Sequence, residues 1–204
     1  MNLSGQLRHY LSLILRFVQP FSGHSELPPL RPMLGIFAAL TLVISILQSA
    51  GMLSYQLSNL GKVEGLFGQK PLWGFAFSLS WCAALLVIVP SRRFVARVTG
   101  SNVPIAEIAA RSAASALPLL VLVGINGIFT SLRPLNQNTS SIELLLRTPI
   151  WLGLPIVGVI WDAAIWIAKA PNQIAKWQAP LVWGAWLIPV SVVFTILFVL
   201  SGGQ

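Results

Sequence analysis

Five stretches of the chain run apolar for close to the roughly 20 residues that a membrane-crossing helix needs. They cover about 33–54, 72–90, 112–131, 149–168 and 179–200. Proline and glycine punctuate the gaps, at Arg31-Pro32, Gly68-Gln69-Lys70-Pro71, Val89-Pro90, Thr148-Pro149 and Ala170-Pro171. The pattern predicts an all-α fold: an integral membrane bundle of about five transmembrane helices over 31–204, preceded by an amphipathic segment and linker over 1–30.

In that first segment, LSGQLRHYLSLILRFVQPF, the pattern changes. Leu3, Leu7, Tyr10, Leu11, Ile14 and Val18 share one helical face, while Ser4, Arg8, Ser12 and Gln19 share another. Arg16 and Pro20 interrupt the run before it reaches spanning length, so the segment is expected to lie in the membrane interface. No small-x-small cleavage site follows it, which disfavours a secretory signal peptide. An organelle transit peptide stays open, because the first acidic residue is Glu26 and both Arg and Ser precede it.

Composition agrees with the pattern. Of 204 residues, 55% are hydrophobic and only 9% charged, against roughly a quarter charged in soluble domains. So few charges cannot coat a soluble body, whereas lipid solvates apolar outer faces without them. The formal charge of +8 lies between the apolar runs and carries no basic stripe of the nucleic-acid-binding kind. With five spans, one side receives Arg8, Arg16, Arg31, Arg92, Arg93, Arg97, Arg111, Lys169 and Lys176; the other receives Lys62, Lys70, Arg133 and Arg147. That bias places the N-terminus in the cytoplasm and the C-terminus across the membrane. Arg92, Arg93 and Arg97 are read as a basic loop on the inner face. Tryptophans fit the same ends, with Trp73 and Trp151 outside and Trp166, Trp177 and Trp183 inside. A bacterial inner membrane is favoured, with an organelle membrane open. The sequon Asn138-Thr139-Ser140 falls in an outer loop and carries little weight. Cys82 is the single cysteine and has no partner for an internal disulfide.

Small residues four apart, Ala76, Ser80 and Ala84 in the second span and Ser112 and Ala116 in the third, suit close helix packing. Pro118, Pro155 and Pro189 lie inside the last three spans, where each removes a backbone donor and is expected to kink its helix.

The chemistry-bearing residues are few. Both histidines, His9 and His24, precede the first span, so no membrane-embedded base or haem ligand is available. One aspartate cannot form the paired carboxylates of an aspartyl protease, and no zinc-ligand cluster or phosphate loop appears. The expectation is a chain that is not an enzyme and carries no metal or cofactor. Asp162 nevertheless stands in an apolar run, VIWDAAIW, about 10 Å up its helix from Lys169 at 1.5 Å per residue. An ionisable group at that depth calls for a partner. Arg111 is the expected one, itself four residues after Glu107 at ion-pair spacing. The two readings of Asp162 are a structural polar tie, across helices to Arg111 or as a snorkelling pair with Lys169, and an ion-coupling carboxylate. Gln48 and Asn126 are the other strongly polar side chains inside the spans, too few to line an aqueous pore.

The layout resembles bacterial Yip1-domain proteins. The segment SRRFVARVTGSNVPIAEIAARSAASALPLL looks like their glycine-containing turn leading into a helix with an embedded proline, with Gly100 and Pro118 in those positions. IWDAAIWIAKAPNQIAKWQAPLVWGAWLIPV is similar to their fourth helix, polar hinge and fifth helix, and LILRFVQPF to their interfacial start. The likeness covers most of the chain in layout and rests on degenerate motifs; Asp162 matches no family position. It implies a non-enzymatic membrane protein working through partners in membrane organisation and trafficking. The expected function is association with membrane lipids and with other membrane proteins or further copies of this chain, for example as an accessory subunit. A small ion-coupled transporter using Asp162 is the alternative.

Overall fold

A computed structural model describes residues 3–24, 26–58, 73–132 and 141–189. Every regular element among them is helical: α1 (Leu3–Phe17), α2 (Leu30–Ser58), α3 (Trp73–Val98), α4 (Ile105–Leu132), α5 (Ser141–Ala168) and the short α6 (Ala179–Gly184). Three stretches are long and apolar enough to cross a membrane, Leu30–Gly51, Ser78–Val98 and Ile105–Phe129. The fourth and fifth expected spans coincide with shorter apolar helical stretches, Leu152–Ala168 and Ala179–Pro189. The rest of the fifth span, the sequon and the loops bearing Lys62, Lys70 and Arg133 lie outside the described residues, as do the side chains of Ala76, Arg147, Trp73 and Trp151.

The chain packs as two units. The first takes Met1–Met33, Ala83–Ser115 and Ala163–Gln204; the second takes Leu34–Cys82 and Ala116–Asp162. The N-terminal segment thus belongs to the first unit together with later helices.

In the first unit, Ala96, Val103, Ile108, Trp166, Ile174, Ala179 and Val182 form a buried core, flanked by Val89, Val95, Ala170 and Trp183. α3 reaches this core only because it continues through Pro90 to Val98. A proline inside a helix loses a hydrogen bond and crowds the preceding turn, costing about 3 kcal/mol. The two turns beyond it bury Ala96 and seat Arg92 against Trp166 and Ser112, contacts that a helix ending at Pro90 would lack. Gly100, at φ 88°, then ends the helix. Its N–H donates to the Arg97 carbonyl at 2.9 Å and that of Ser101 to the Ala96 carbonyl at 2.8 Å. This pair of bonds closes a helix through one left-handed residue, which favours glycine. α4 opens four residues later behind Pro104, with Glu107 in its first turn, where the positive end of the helix dipole favours a carboxylate.

In the second unit, glycines set the helix spacing. A Cβ on Gly158 of α5 would lie 2.9 Å from the Leu119 Cα and 2.7 Å from its Cδ1, so α5 and α4 meet backbone to backbone there. On α4, Gly124 and Gly127 face Ile44 and Gln48 of α2. Small residues allow such approach where no hydrophobic effect drives helices together in lipid. Thr41, Ser45 and Gln48 are buried along one face of α2. Ser45 donates to the Ser78 hydroxyl of α3 at 3.0 Å, and the Phe37 and Trp81 rings meet edge to face.

Candidate functional site

The densest polar construction among the described residues is a set of buried cations in the first unit. Arg92, on α3, is 2% exposed. Its guanidinium stacks over the Trp166 indole at 4.2 Å from the ring centroid, and Nη1 donates to the Ser112 hydroxyl at 3.0 Å. Three segments meet at this side chain: α3, α4 and the end of α5. Ser112 accepts that bond because it stands in a run of buried small residues, Ser112 to Ala116, which leaves room for a guanidinium. Arg92, Arg93 and Arg97 were expected in a loop. All three instead lie on the last turns of α3, and Arg92 points into protein rather than toward water.

Arg111, one turn and a half into α4, pairs with Glu107 at 3.1 Å. Its Nη1 also donates to the Lys169 carbonyl just past α5, and the guanidinium lies 6.0 Å over the Phe17 ring. The expected i,i+4 pair is therefore formed, and Arg111 also ties α4 to the end of α5 within this unit. Asp162 is buried on α5 and belongs to the second unit, whereas Arg111 and Glu107 belong to the first.

Lys169 completes the set. Its ammonium donates to the Arg16 carbonyl at 3.0 Å, the Phe17 carbonyl at 2.6 Å and the Ser22 hydroxyl at 2.8 Å. Three acceptors match the three protons of a charged lysine. Two of them are carbonyls left open at the C-terminal end of α1, where a cation also complements the helix dipole. The Phe17 ring sits 5.0 Å from the same nitrogen. Burial pushes the Lys169 ammonium below its usual range, because removing it from water penalises the charged form.

A fourth residue holds the loops. Gln178 accepts from the Ser101 hydroxyl at 2.8 Å and the Ala175 N–H at 3.0 Å through Oε1, and donates to the Thr99 carbonyl at 2.7 Å through Nε2. It staples the α3–α4 turn to the connection before α6.

Nothing in the sequence beyond apolarity and polarity marks Phe17 and Gln178, and Lys169 is marked there only as a basic residue and a candidate partner of Asp162. For Phe17 a signal existed: Tyr10, Leu13, Ile14 and Phe17 form an i, i+3, i+4, i+7 set. In the structure Ile14 and Phe17 are buried, while Leu7 and Leu11, expected on the same face as Ile14, are exposed. The apolar face that meets protein is thus rotated from the expected one. The prolines are accommodated: α4 runs on through Pro118 and α5 through Pro155, and Pro189 closes the last described stretch. Among the described residues, no group of three or more His, Cys, Asp or Glu comes together. No protein-family model, curated protein or solved structure matches this chain.

Proposed function

We propose that this chain is a non-catalytic polytopic membrane protein that works by associating with lipids and with other membrane proteins. The observation that carries the reading is how its buried cations are used. Within their own unit Arg92, Arg111 and Lys169 bind rings, carbonyls and hydroxyls and, at Arg111, the Glu107 carboxylate. Polar groups so placed hold segments together. Meanwhile large apolar side chains stand outward on the spans, among them Leu42, Ile46, Leu79, Leu86, Ile156 and Ile160. Such surfaces suit lipid and partner helices.

The nine basic residues that the loop pattern assigns to the cytoplasm all fall in the first unit, with Glu26 and Glu107 as its carboxylates. This supports a cytoplasmic N-terminus. The membrane-organising role implied by the Yip1-like layout, or that of an accessory subunit, is the specific form proposed. Native mass spectrometry after mild solubilisation tests it. A stable protein partner, further copies of the chain or retained phospholipid is expected, and a bare monomer in every detergent refutes it.

One observation favours a second reading, ion-coupled transport. The second unit buries Asp162 and also the Thr41, Ser45 and Gln48 face of α2. In reconstituted vesicles this reading requires Asp162→Asn to change flux or its pH dependence.

A further inference from the structure

We propose that α1 carries three distinct faces and that one of them, Leu7, Leu11 and Leu15, inserts into the surface of an anionic phospholipid bilayer. Arg8 and Arg16 meet the headgroup phosphates beside it. This rests on the membrane-association reading and names its lipid class.

At 3.6 residues per turn, the three leucines fall within about 80° of one another. They are 50%, 42% and 63% exposed. Ile14 and Phe17 lie to one side of them, turned into the first unit, at 5% and 1% exposed. Arg8 and Arg16, both exposed, lie to the other side. A helix that only packs on protein needs one apolar stripe. The apolar arc of α1, from Phe17 through Ile14 and Leu7 to Leu15, is about 160° wide, and protein covers only its Ile14 and Phe17 edge. Phe21, 99% exposed just past the helix, extends the open apolar surface.

The helix cannot roll to hide its leucines. Lys169 grips the Arg16 and Phe17 carbonyls, and Phe17 is packed beside both Lys169 and Arg111. The rotation that buries Phe17 therefore fixes where Leu7, Leu11 and Leu15 point.

Charge selects the occupant. The first unit sets nine Lys and Arg against two carboxylates. Such a surface complements an anionic leaflet. Exposed Trp177 beside Lys176 in the same unit adds an aromatic and cation pair of the kind found at headgroup depth.

The test uses full-length protein with Cys82→Ser, the exposed native thiol. Single cysteines replace Leu7, Leu11 or Leu15 on the open stripe and Arg8 or Ser12 on the polar face. Each carries a bimane and is reconstituted in nanodiscs of phosphatidylcholine with or without phosphatidylglycerol. Lipid nitroxides and aqueous iodide then report depth. The stripe labels are expected to be quenched by lipid nitroxide and the polar-face labels by iodide. Phosphatidylglycerol should deepen the stripe. Arg8→Gln and Arg16→Gln in the stripe-labelled background should each reverse that deepening by roughly fivefold in the inserted-to-exposed ratio. Only monodisperse samples that keep the wild-type far-UV spectrum are compared, and three stripe sites supply replicates. Equal quenching on all faces, or iodide access to the stripe, overturns the proposal. So does a stripe shielded from both quenchers, which would mean a protein covers it. These outcomes do not depend on whether partners co-purify, so failure here and failure of the association reading are separable.

Discussion

Lys169→Met keeps the length and apolar stem of the side chain and removes only the ammonium that closes α1. Three hydrogen bonds disappear, two of them to the Arg16 and Phe17 carbonyls. The Arg16 carbonyl keeps the Ser22 hydroxyl as a donor, whereas the buried Phe17 carbonyl loses the ammonium, at about 1–3 kcal/mol. Loss of a cation at a helix C-terminus adds about 0.3–1 kcal/mol. Relief of the desolvation that lowers the Lys169 pKa offsets part of this. The net loss should be about 1–3 kcal/mol and should fall on the docking of α1 rather than on the whole fold.

Hydrogen exchange read by mass spectrometry in nanodiscs separates those two cases, because local opening and global unfolding expose different amides. Peptides covering residues 3–24 should exchange faster in the variant, while those covering 83–98 keep their wild-type rates. Lys169→Arg should fall between the two, since a guanidinium keeps the charge but cannot aim three donors as an ammonium does. Unchanged exchange over 3–24 would refute the clamp. Equal acceleration in both regions would show that Lys169 supports the fold as a whole.

Gly158→Ala should lower stability by about 1–3 kcal/mol, because its Cβ meets the Leu119 backbone. Gly153→Ala, which meets nothing within 4 Å, should not, and thermal unfolding in detergent compares them. Arg92→Lys should cost about 1–2 kcal/mol, and its effect should shrink in a Trp166→Phe background, as a double-mutant cycle would read out. For pH, burial in the folded state holds the Lys169 ammonium below its ordinary value of 10.5. Between that lowered value and 10.5 the unfolded chain binds more protons at this position, so wild type gains stability as pH rises through that window. A Lys169→Met series of unfolding midpoints should lack this increment.

Apolar periodicity located helical stretches, since apolar runs act locally, but prolines did not mark their ends: α3 runs through Pro90 and α5 through Pro149. The Glu107–Arg111 pair was equally legible, because four residues on one helix fix its geometry. Other features depended on tertiary contacts. Pro90 reads as a helix end, yet α3 runs eight residues past it, where Arg92 meets Trp166 and Ser112 and Ala96 joins the buried core. Gln178 reads as one polar residue among several in a connection, and nothing local reveals that Thr99 and Ser101 wait for its amide. Arg111 shows the same limit: its spacing announces the ion pair with Glu107, but nothing local reveals the carbonyl at the end of α5 that it also serves. Open carbonyls at helix ends are invisible to residue-type arguments, yet they attract cations strongly wherever water is scarce.

That last point bears on how a basic bias should be read in a chain of this kind. Counting Lys and Arg treats all nine as one population. In the first unit eight of them form two, and Arg93 is half-buried. Arg92, Arg111 and Lys169 are turned inward and act as donors to rings, hydroxyls and carbonyls. Arg8, Arg16, Arg31, Arg97 and Lys176 are exposed and free to meet anionic headgroups. The inward set holds segments of the unit together, with Lys169 and Arg111 against α1; on the proposed function, the outward set acts on orientation and lipid preference. Without the inward set, α1 would have no fixed rotation, and its exposed leucines could turn back onto protein. The membrane affinity proposed for α1 is therefore a product of both populations: buried cations aim the helix, and exposed ones choose the surface it meets.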